Sequence, residues 1–136
     1  MIGHDSADKP ILFMVEDDGV TSSLIKLIME EGYQIIHASD GRQAQSQIEA
    51  LPPPSLVLLD MGLPNVSGLE LLAQIRKKPT WLDVPVVMLT ASADQTDICK
   101  AIVAGATEYI LKPFKPDALL ARLRRFRPSG PTRRAS

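Results

Sequence analysis

Two patterns of apolar positions alternate along the chain. Short runs rich in Val, Ile and Leu are almost continuously apolar, which is typical of strands covered on both faces of a parallel sheet. Between them lie segments whose apolar residues recur three and four positions apart, as on one face of a helix. The predicted strands are Ile11–Val15, 33–38, 56–59, 86–89 and 109–111. The predicted helices are 21–31, 41–51, Gly68–Lys77, 97–104 and 116–127.

The alternation of five strands with five helices predicts an α/β domain built on a parallel sheet. Right-handed crossovers then place helices on both faces of the sheet. Gly32 is the expected C′ residue that stops the first helix, and Gly105 follows the fourth helix. The polar ends of the chain predict disordered segments at residues 1–9 and 128–136, which flank one domain at residues 10–127.

The composition is that of an ordinary globular domain. Of the 136 residues, 45% are hydrophobic and 23% are charged, which argues against disorder. The single cysteine, Cys99, excludes an internal disulfide and a cysteine zinc cluster, and it favours a reducing compartment. No apolar run approaches the roughly 18 residues of a membrane span. We therefore expect a cytoplasmic protein with no membrane partner.

The net charge of −1 hides a strong asymmetry. Residues 1–111 carry 7 basic and 15 acidic side chains, whereas residues 112–136 carry 8 basic and 1 acidic. A basic end can bind nucleic acid. Because no aromatic residues interleave with the final arginines, we interpret this end as a solvated helix face followed by a tail. We expect no direct nucleic-acid binding by the domain.

Acidic residues follow two of the predicted strands. Glu16, Asp17 and Asp18 come directly after the first strand, and Asp60 follows the third. The carboxyl ends of parallel strands meet at one edge of a sheet. At ~5 Å and an effective dielectric constant near 20, each pair of these charges repels by about 3 kcal/mol. A proton or a divalent cation would offset this repulsion, and an oxygen-only ligand set suits Mg²⁺. Asp18 alone is interpreted as a solvated loop residue.

A threonine and a lysine are expected at the same edge. Thr90 ends the fourth strand and Lys112 follows the fifth. Lysine can neutralise a carboxylate or phosphoryl oxygen as a compact point charge, and the hydroxyl can donate to a phosphoryl oxygen. A carboxylate beside a divalent cation, a lysine and a hydroxyl can attack an activated phosphoryl group and form an acyl phosphate. Asp60 is the favoured nucleophile, because residues 61–64 turn away sharply and leave one face open.

Four segments that carry these residues together resemble the receiver domain of bacterial two-component response regulators. The segments are 11–18 (ILFMVEDD), 56–64 (LVLLDMGLP), 86–91 (VVMLTA) and 109–114 (YILKPF). Their order and spacing make the match specific, and it extends over residues 10–127. The resemblance implies a flavodoxin-like three-layer sandwich, in which a five-stranded parallel sheet of order 2-1-3-4-5 is flanked by five helices.

The resemblance also implies a Mg²⁺ site. Asp17 would bind the metal directly, together with Asp60 and the main-chain carbonyl of Gly62. Glu16 would act mainly through a metal-bound water. Members of the family commonly have two aspartates after the first strand, so Glu16 is a departure that implies altered metal affinity rather than its loss.

By the same resemblance, Asp60 would accept a phosphoryl group from a phosphohistidine of a sensor histidine kinase or phosphotransfer protein. Thr90 and Lys112 would bind the phosphoryl oxygens. Tyr109 resembles the switch aromatic, which would turn into space vacated by Thr90 and so alter the surface of helix four, strand five and helix five. The domain would then be a signalling switch rather than an enzyme, since it catalyses only its own phosphorylation and dephosphorylation.

The alternative function is that of a haloacid-dehalogenase-like phosphatase, in which Asp17 would be the nucleophile. Such enzymes need an Asp-x-Asp spacing, whereas Asp17 and Asp18 are adjacent. A flavodoxin-like FMN carrier is disfavoured, because the acidic first loop would repel a phosphate.

Within the receiver family, two further questions stay open. The chain ends soon after the last predicted helix, so it is either a stand-alone receiver or an excised module of a longer protein with an unknown output. A homodimer through helix four, strand five and helix five would pair the basic stretch 122–127 with Asp94 and Asp97. A solvated basic face is the competing interpretation.

Overall fold

The computed structural model describes residues 9–127 of the chain. Its strands are β1 (Ile11–Val15), β2 (Gln34–Ala38), β3 (Leu56–Asp60), β4 (Val86–Thr90) and β5 (Glu108–Leu111). Its helices are α1 (Gly19–Met29), α2 (Gly41–Ala50), α3 (Gly68–Lys77), α4 (Gln95–Val103) and α5 (Pro116–Arg124), with a 3-10 turn at Pro79–Trp81. The strands form one parallel sheet in the order β2-β1-β3-β4-β5. The predicted fold and strand order are confirmed.

Helices cover both faces of the sheet and produce three layers. On one face, α1 and α5 contribute Ile25 and Leu123 to a shared core cluster. On the other face, α2, α3 and α4 contribute Ile48, Leu72 and Ala101 to a second cluster. Because both faces are covered, the central strands β3 and β4 are buried along their whole length.

The first helix differs from its prediction at both ends. It begins at Gly19, because the Asp18 carboxylate accepts a hydrogen bond at 2.8 Å from an amide of the first turn and caps the helix. Asp18 is exposed, as expected for a loop residue, but it also has this structural role. The helix ends at Met29 with Glu30 as its C-cap, so the expectation that Gly32 is the C′ residue was wrong. The described glycine with a left-handed conformation is Gly105, at φ +110°, directly after α4.

Other boundaries shift by one to three residues. β3 and β4 each extend one residue further than predicted, so that Asp60 and Thr90 are the last residues of their strands. Both residues belong to the hydrogen-bonded ladder of the sheet. β2 begins at Gln34, β5 begins at Glu108, and α5 ends at Arg124. The sheet itself therefore positions the two polar strand ends.

The predicted disordered ends, residues 1–9 and 128–136, fall outside the described residues except for Lys9. The Lys9 ammonium donates to the carbonyl of Glu30 at 3.1 Å, beside the end of α1. The predicted domain boundaries stay a prediction. None of the described helices has the length and apolar character needed to cross a membrane.

The N-terminus of α3 lies against the end of β3. A capping box begins this helix. The Ser67 hydroxyl accepts a hydrogen bond from the Glu70 amide, and the Glu70 carboxylate accepts one from the Ser67 amide. A β-carbon at Gly68 would lie 2.4 Å from the carbonyl oxygen of Asp60 and 2.7 Å from the Cα of Met61. Only glycine permits this approach, so α3 supports the strand end that carries Asp60.

Replacing Gly68 by alanine should lower the free energy of unfolding by about 1–3 kcal/mol, the usual cost of overpacking. Neither contacted main-chain atom can move without moving the strand end. Equilibrium urea unfolding measures the effect. Gly19→Ala is the matched control, because Gly19 is also a first helical residue but an added β-carbon meets nothing within 4 Å. Equal stability of the two variants would contradict the close contact.

Candidate functional site

The carboxyl ends of neighbouring strands bring three predicted carboxylates together. Glu16 and Asp17 follow β1, and Asp60 ends β3, which pairs directly with β1. One carboxylate oxygen from each of the three residues lies within 4.8 Å of the other two. The group of Glu16, Asp17 and Asp60 is called the carboxylate cluster below. Asp18, which caps α1, is not a member.

The carboxylate cluster is exposed on one side only. Glu16 is fully buried and Asp60 is 5% exposed, whereas Asp17 is exposed. Desolvation raises the pKa of the Glu16 carboxyl; a hydrogen bond from Lys112 opposes this shift and the charge of Asp60 adds to it. Partial desolvation and the adjacent Asp60 also raise the pKa of Asp17. Burial first, and the negative charge of Asp60 in addition, therefore disfavour the ionised forms of both carboxyls.

Lys112 brings a positive charge into the carboxylate cluster. Its ammonium lies 3.0 Å from Oε1 and 3.3 Å from Oε2 of Glu16, and 3.4 Å from Oδ1 of Asp60. Burial alone would lower the pKa of Lys112, but its interactions with Glu16 and Asp60 outweigh burial and raise it. The lysine is therefore held in its charged form. One ammonium against three carboxylates leaves an excess of negative charge, which favours binding of a further cation.

Asp60 is also oriented by the main chain that follows it. The Gly62 amide donates to Oδ1 of Asp60 at 3.1 Å. A β-carbon on Gly62 would lie 3.8 Å from the same oxygen, which is an ordinary contact, so space alone does not require glycine here. Gly62 is exposed beside the carboxylate cluster. The Gly62 carbonyl, which was predicted to bind the metal, therefore belongs to an accessible loop beside the carboxylate cluster.

Thr90 and Tyr109 are both hydrogen-bonded to Ser92, in the loop between β4 and α4. The Ser92 amide donates to Oγ1 of Thr90 at 3.0 Å, and the Tyr109 hydroxyl donates to the Ser92 carbonyl at 2.8 Å. The Ser92 hydroxyl donates to Asp97 of α4 at 2.8 Å. Sequence reasoning identified Thr90 and Tyr109 but missed this connection. Ser92 belongs to no motif, and its bonds depend on the loop conformation.

The residues suggested for a homodimer contact have partners within the chain. Asp94 caps α4, and Asp97 accepts a hydrogen bond from a serine hydroxyl. Arg122 of α5 and Arg125, which directly follows this helix, form ion pairs with Glu108. Sequence reasoning missed Glu108, because β5 was predicted to begin one residue later. A dimer through these side chains would have to exchange existing pairs, and it stays a prediction.

A histidine of β2 contacts the same edge of the sheet. Nε2 of His37 lies 2.9 Å from the main-chain carbonyl oxygen of Glu16. The sequence shows no metal-ligand spacing for His37, and its ring bonds the main chain rather than the carboxylate cluster. Register explains the contact, since His37 is opposite Met14 in the pairing of β2 with β1. No local pattern in the sequence reveals that register.

Comparison with known proteins identifies the family. The sequence model described as the response regulator receiver domain matches residues 12–124. The transcriptional regulatory protein KdpE of Mycobacterium tuberculosis is 38% identical over 115 residues, which are 84% of this chain and 49% of KdpE. The phosphate regulon transcriptional regulatory protein PhoB of Escherichia coli K12 is 35% identical over 114 residues, or 83% of this chain and 49% of PhoB. The chain thus spans about half the length of the curated relatives it matches.

Solved structures give the same result. The receiver domain of the sensor histidine kinase PA1611 of Pseudomonas aeruginosa, with a magnesium ion in its active site cleft, has a TM-score of 0.78 and 31% identity. That match covers 87% of this chain and 97% of the PA1611 domain. The phosphorylated cyanobacterial phytochrome response regulator RcpA has a TM-score of 0.76 and 27% identity, with 85% of this chain and 89% of RcpA covered.

These comparisons give no support to the haloacid-dehalogenase-like phosphatase, in which Asp17 would be the nucleophile. The matching family model, the relatives and the structures named above all belong to signalling proteins with receiver domains. This chain belongs to the response regulator receiver family, and it is a receiver domain of two-component signal transduction.

Proposed function

We propose that Asp60 accepts a phosphoryl group in a Mg²⁺-dependent reaction and that this modification switches the domain. One observation carries the proposal: the Asp60 carboxylate lies in the carboxylate cluster and 3.4 Å from the Lys112 ammonium. Asp60 also ends a central strand: β3 lies between β1 and β4, and Asp60 itself pairs with Leu89 of β4. A nucleophile needs such a fixed direction of approach.

The donor chemistry of the cluster fits Mg²⁺. All three side chains offer carboxylate oxygens, and Mg²⁺ is usually held by one or two carboxylates, with water and phosphate oxygens completing its coordination. Asp17, Asp60 and the Gly62 carbonyl would hold the ion directly, and Glu16 would act through a bound water. When bound, Mg²⁺ neutralises the charge on the phosphoryl oxygens during transfer. The magnesium of the PA1611 receiver domain supports this assignment.

Phosphoryl transfer requires an acceptor oxygen and charge compensation. A carboxylate oxygen of Asp60 attacks phosphorus, the bond from phosphorus to the donor imidazole nitrogen breaks, and the nitrogen keeps the electron pair. An acyl phosphate on Asp60 is the product. Lys112 already lies beside Asp60 and can neutralise a phosphoryl oxygen. The Thr90 hydroxyl accepts its hydrogen bond from Ser92, so its own hydrogen is available for donation to a phosphoryl oxygen.

The link through Ser92 suggests how the modification reaches the surface. If the Thr90 hydroxyl turns towards a phosphoryl oxygen, it gives up its hydrogen bond from the Ser92 amide. The loop that moves with Ser92 also holds the Tyr109 hydroxyl. Thr90 and Tyr109 therefore act as the switch pair of the proposal, and Ser92 connects them. This is a two-state element that a local change of charge can bias.

An apolar surface at the mouth of the site supports a protein as phosphoryl donor. Val20 of α1 is 80% exposed and, with Leu24, Pro113 and Phe114, lines a depression of about 360 Å³ beside Lys112. A small phosphoryl donor would leave this surface exposed to water. A sensor histidine kinase or phosphotransfer protein could bury it while presenting its phosphohistidine. Such a donor would place the reaction in the cytoplasm.

Exposed apolar side chains also occur on the two elements where the switch would act. They are Ile102 and Val103 of α4 and Leu111 of β5. A downstream partner, an output domain or a second copy of this chain would contact these side chains. The match to the transcriptional regulators KdpE and PhoB covers only 49% of each. This favours an output domain of a longer protein as the partner that contacts these side chains.

Removing the charge of Asp17 should stabilise the metal-free domain and abolish its response to Mg²⁺. Asp17→Asn removes one repulsive contact, so the free energy of unfolding in EDTA should rise by roughly 0.5 kcal/mol. Mg²⁺ at ten times its dissociation constant should stabilise the wild type by about 1.4 kcal/mol and the variant by much less. Asp18→Asn is the matched control, because asparagine caps α1 as well as aspartate and the cluster stays intact. If both variants respond to Mg²⁺ like the wild type, the metal assignment is wrong.

Asp60 should be the residue that carries the phosphoryl group. With acetyl phosphate and Mg²⁺, the wild type should form an alkali-labile phosphoprotein, and borohydride trapping with mass spectrometry should locate the adduct on Asp60. Asp60→Asn should reduce labelling by at least about a hundredfold, since an amide is a poor nucleophile. Asp83→Asn, which removes an exposed acid just before β4, should label normally. An adduct on Asp17 would contradict the assignment.

Val20→Gln should impair phosphotransfer from a protein donor selectively. With a purified phosphorylated sensor kinase that labels the wild type, the rate should fall about tenfold, because a central apolar contact contributes on the order of 1–2 kcal/mol to docking. Labelling by acetyl phosphate should stay unchanged. Leu82→Gln is the control, since Leu82 is also exposed but precedes β4 at the opposite edge of the sheet. Equal losses with both donors would show that Val20 acts on the site rather than on docking.

A further inference from the structure

We propose that His37 is a positioning residue for the Mg²⁺ site, because its imidazole fixes the peptide group that leads into Asp17. The inference rests on the proposed function, in which Asp17 binds the metal directly. His37 has no role in the receiver chemistry set out above. Its position on β2, next to β1, brings its ring to the start of the loop that carries Asp17.

The contact lies where the pairing of β1 with β2 ends. Val15 opposite Ala38 is the last pair of the ladder. One more main-chain bond follows, from the Glu16 amide to the Ala38 carbonyl at 3.1 Å. Beyond Ala38, the segment that follows β2 leads to Asp40, which caps α2. Within residues 9–127, the His37 ring at 2.9 Å is the partner found for the Glu16 carbonyl.

The His37 contact requires a particular form of the ring. A carbonyl oxygen only accepts hydrogen bonds, so Nε2 of His37 must carry the hydrogen. Glu16 is fully buried, so its carbonyl at the strand end would otherwise need a buried water or would lack a partner. The imidazole thus replaces the main-chain donor that the sheet no longer supplies.

The orientation of the Glu16 carbonyl reaches Asp17 through covalent geometry. The Glu16 carbonyl and the Asp17 amide belong to one planar peptide group, so fixing the carbonyl fixes the direction in which Asp17 leaves the strand. Asp17 is exposed, and the loop supports it on a short span before Asp18 caps α1. On the other side of Asp17, the Asp18 amide donates to the Glu16 carboxylate at 3.2 Å. The peptide groups on both sides of Asp17 are therefore held.

His37 positions a ligand and is not itself one. The group of potential ligand atoms within 4.8 Å of one another consists of Glu16, Asp17 and Asp60 and does not include His37. Its Nε2 is already committed to a carbonyl, and a nitrogen that carries hydrogen cannot coordinate a metal. Outer-shell partners of this kind commonly tune metal affinity by restraining the ligands.

The experiment compares Mg²⁺ dissociation constants by isothermal titration calorimetry on the full chain. His37→Phe keeps a ring but has no donor, and we expect it to raise the dissociation constant about three- to tenfold, as loss of one neutral hydrogen bond predicts. His37→Gln keeps a donor at similar reach and should stay within about twofold of the wild type. Ile35→Thr, on the same face of β2, controls for general weakening of the strand. It should lower the thermal unfolding midpoint without changing the dissociation constant.

A second measurement needs no variant. Long-range ¹⁵N–¹H correlation spectra of the wild type should show the hydrogen of the neutral His37 ring on Nε2. An Nδ1–H ring would overturn the contact, and so would His37→Gln binding Mg²⁺ as weakly as His37→Phe.

The failure of this inference is distinct from failure of the proposed function. If the wild type binds Mg²⁺ and His37→Phe binds it equally well, the positioning role is excluded while the metal site stands. If the wild type does not bind Mg²⁺ at all, the proposed metal site fails and the role of His37 fails with it.

Discussion

Electrostatic repulsion between three carboxylates at one edge of a parallel sheet is the constraint on which the rest of this domain depends. The sheet brings Glu16, Asp17 and Asp60 together because β1 and β3 are neighbours and end at the same level. Lys112 compensates part of the charge, and its own pKa rises because the carboxylates favour its charged form. The excess negative charge is costly for the folded state. In the proposed function, this excess would make the site receptive to a dication and poise Asp60 for modification.

The site combines an acceptor carboxylate at the end of a buried strand with a threonine hydroxyl that is bonded to a loop. Asp60 ends a buried strand, and the close approach of Gly68 holds the main chain beside it. Thr90 also ends a buried strand, but its hydroxyl is bonded to Ser92 in a loop. A phosphoryl group on Asp60 would therefore compete for a hydroxyl whose present partner lies in a loop rather than in the sheet. In the proposed function, this difference would let a change at Asp60 displace the loop and Tyr109 rather than the sheet.

The fold also resolves the separation of charge along the sequence. The basic segment 112–136 returns to the acidic part of the chain, since Lys112 reaches Glu16, 96 positions away. Arg122 and Arg125 likewise pair with Glu108 of the adjacent strand. Three of the eight basic residues in segment 112–136 thus have acidic partners within the domain. Exposed apolar side chains on α1, α4 and β5, rather than charge, distinguish the surfaces available to partners.

The sequence by itself determined the element order, the fold class and the four strand ends that carry the chemistry. Apolar periodicity and residue type are local properties, and parallel strands place their carboxyl ends together whatever the details. Local signals were insufficient where the path of the chain decides. Gly32 and Gly105 both follow helices, yet the chain turns left-handed only at Gly105 of the two.

Only the tertiary structure decided the contacts of His37 and Ser92 and the pairing of Glu108. Each of these contacts joins residues from different elements of the fold. A shift of strand register by one residue would turn the His37, Tyr109 or Glu108 side chain to the other face of the sheet. Register follows from the packing of both helical layers on the sheet at once. No single segment of the sequence contains that information.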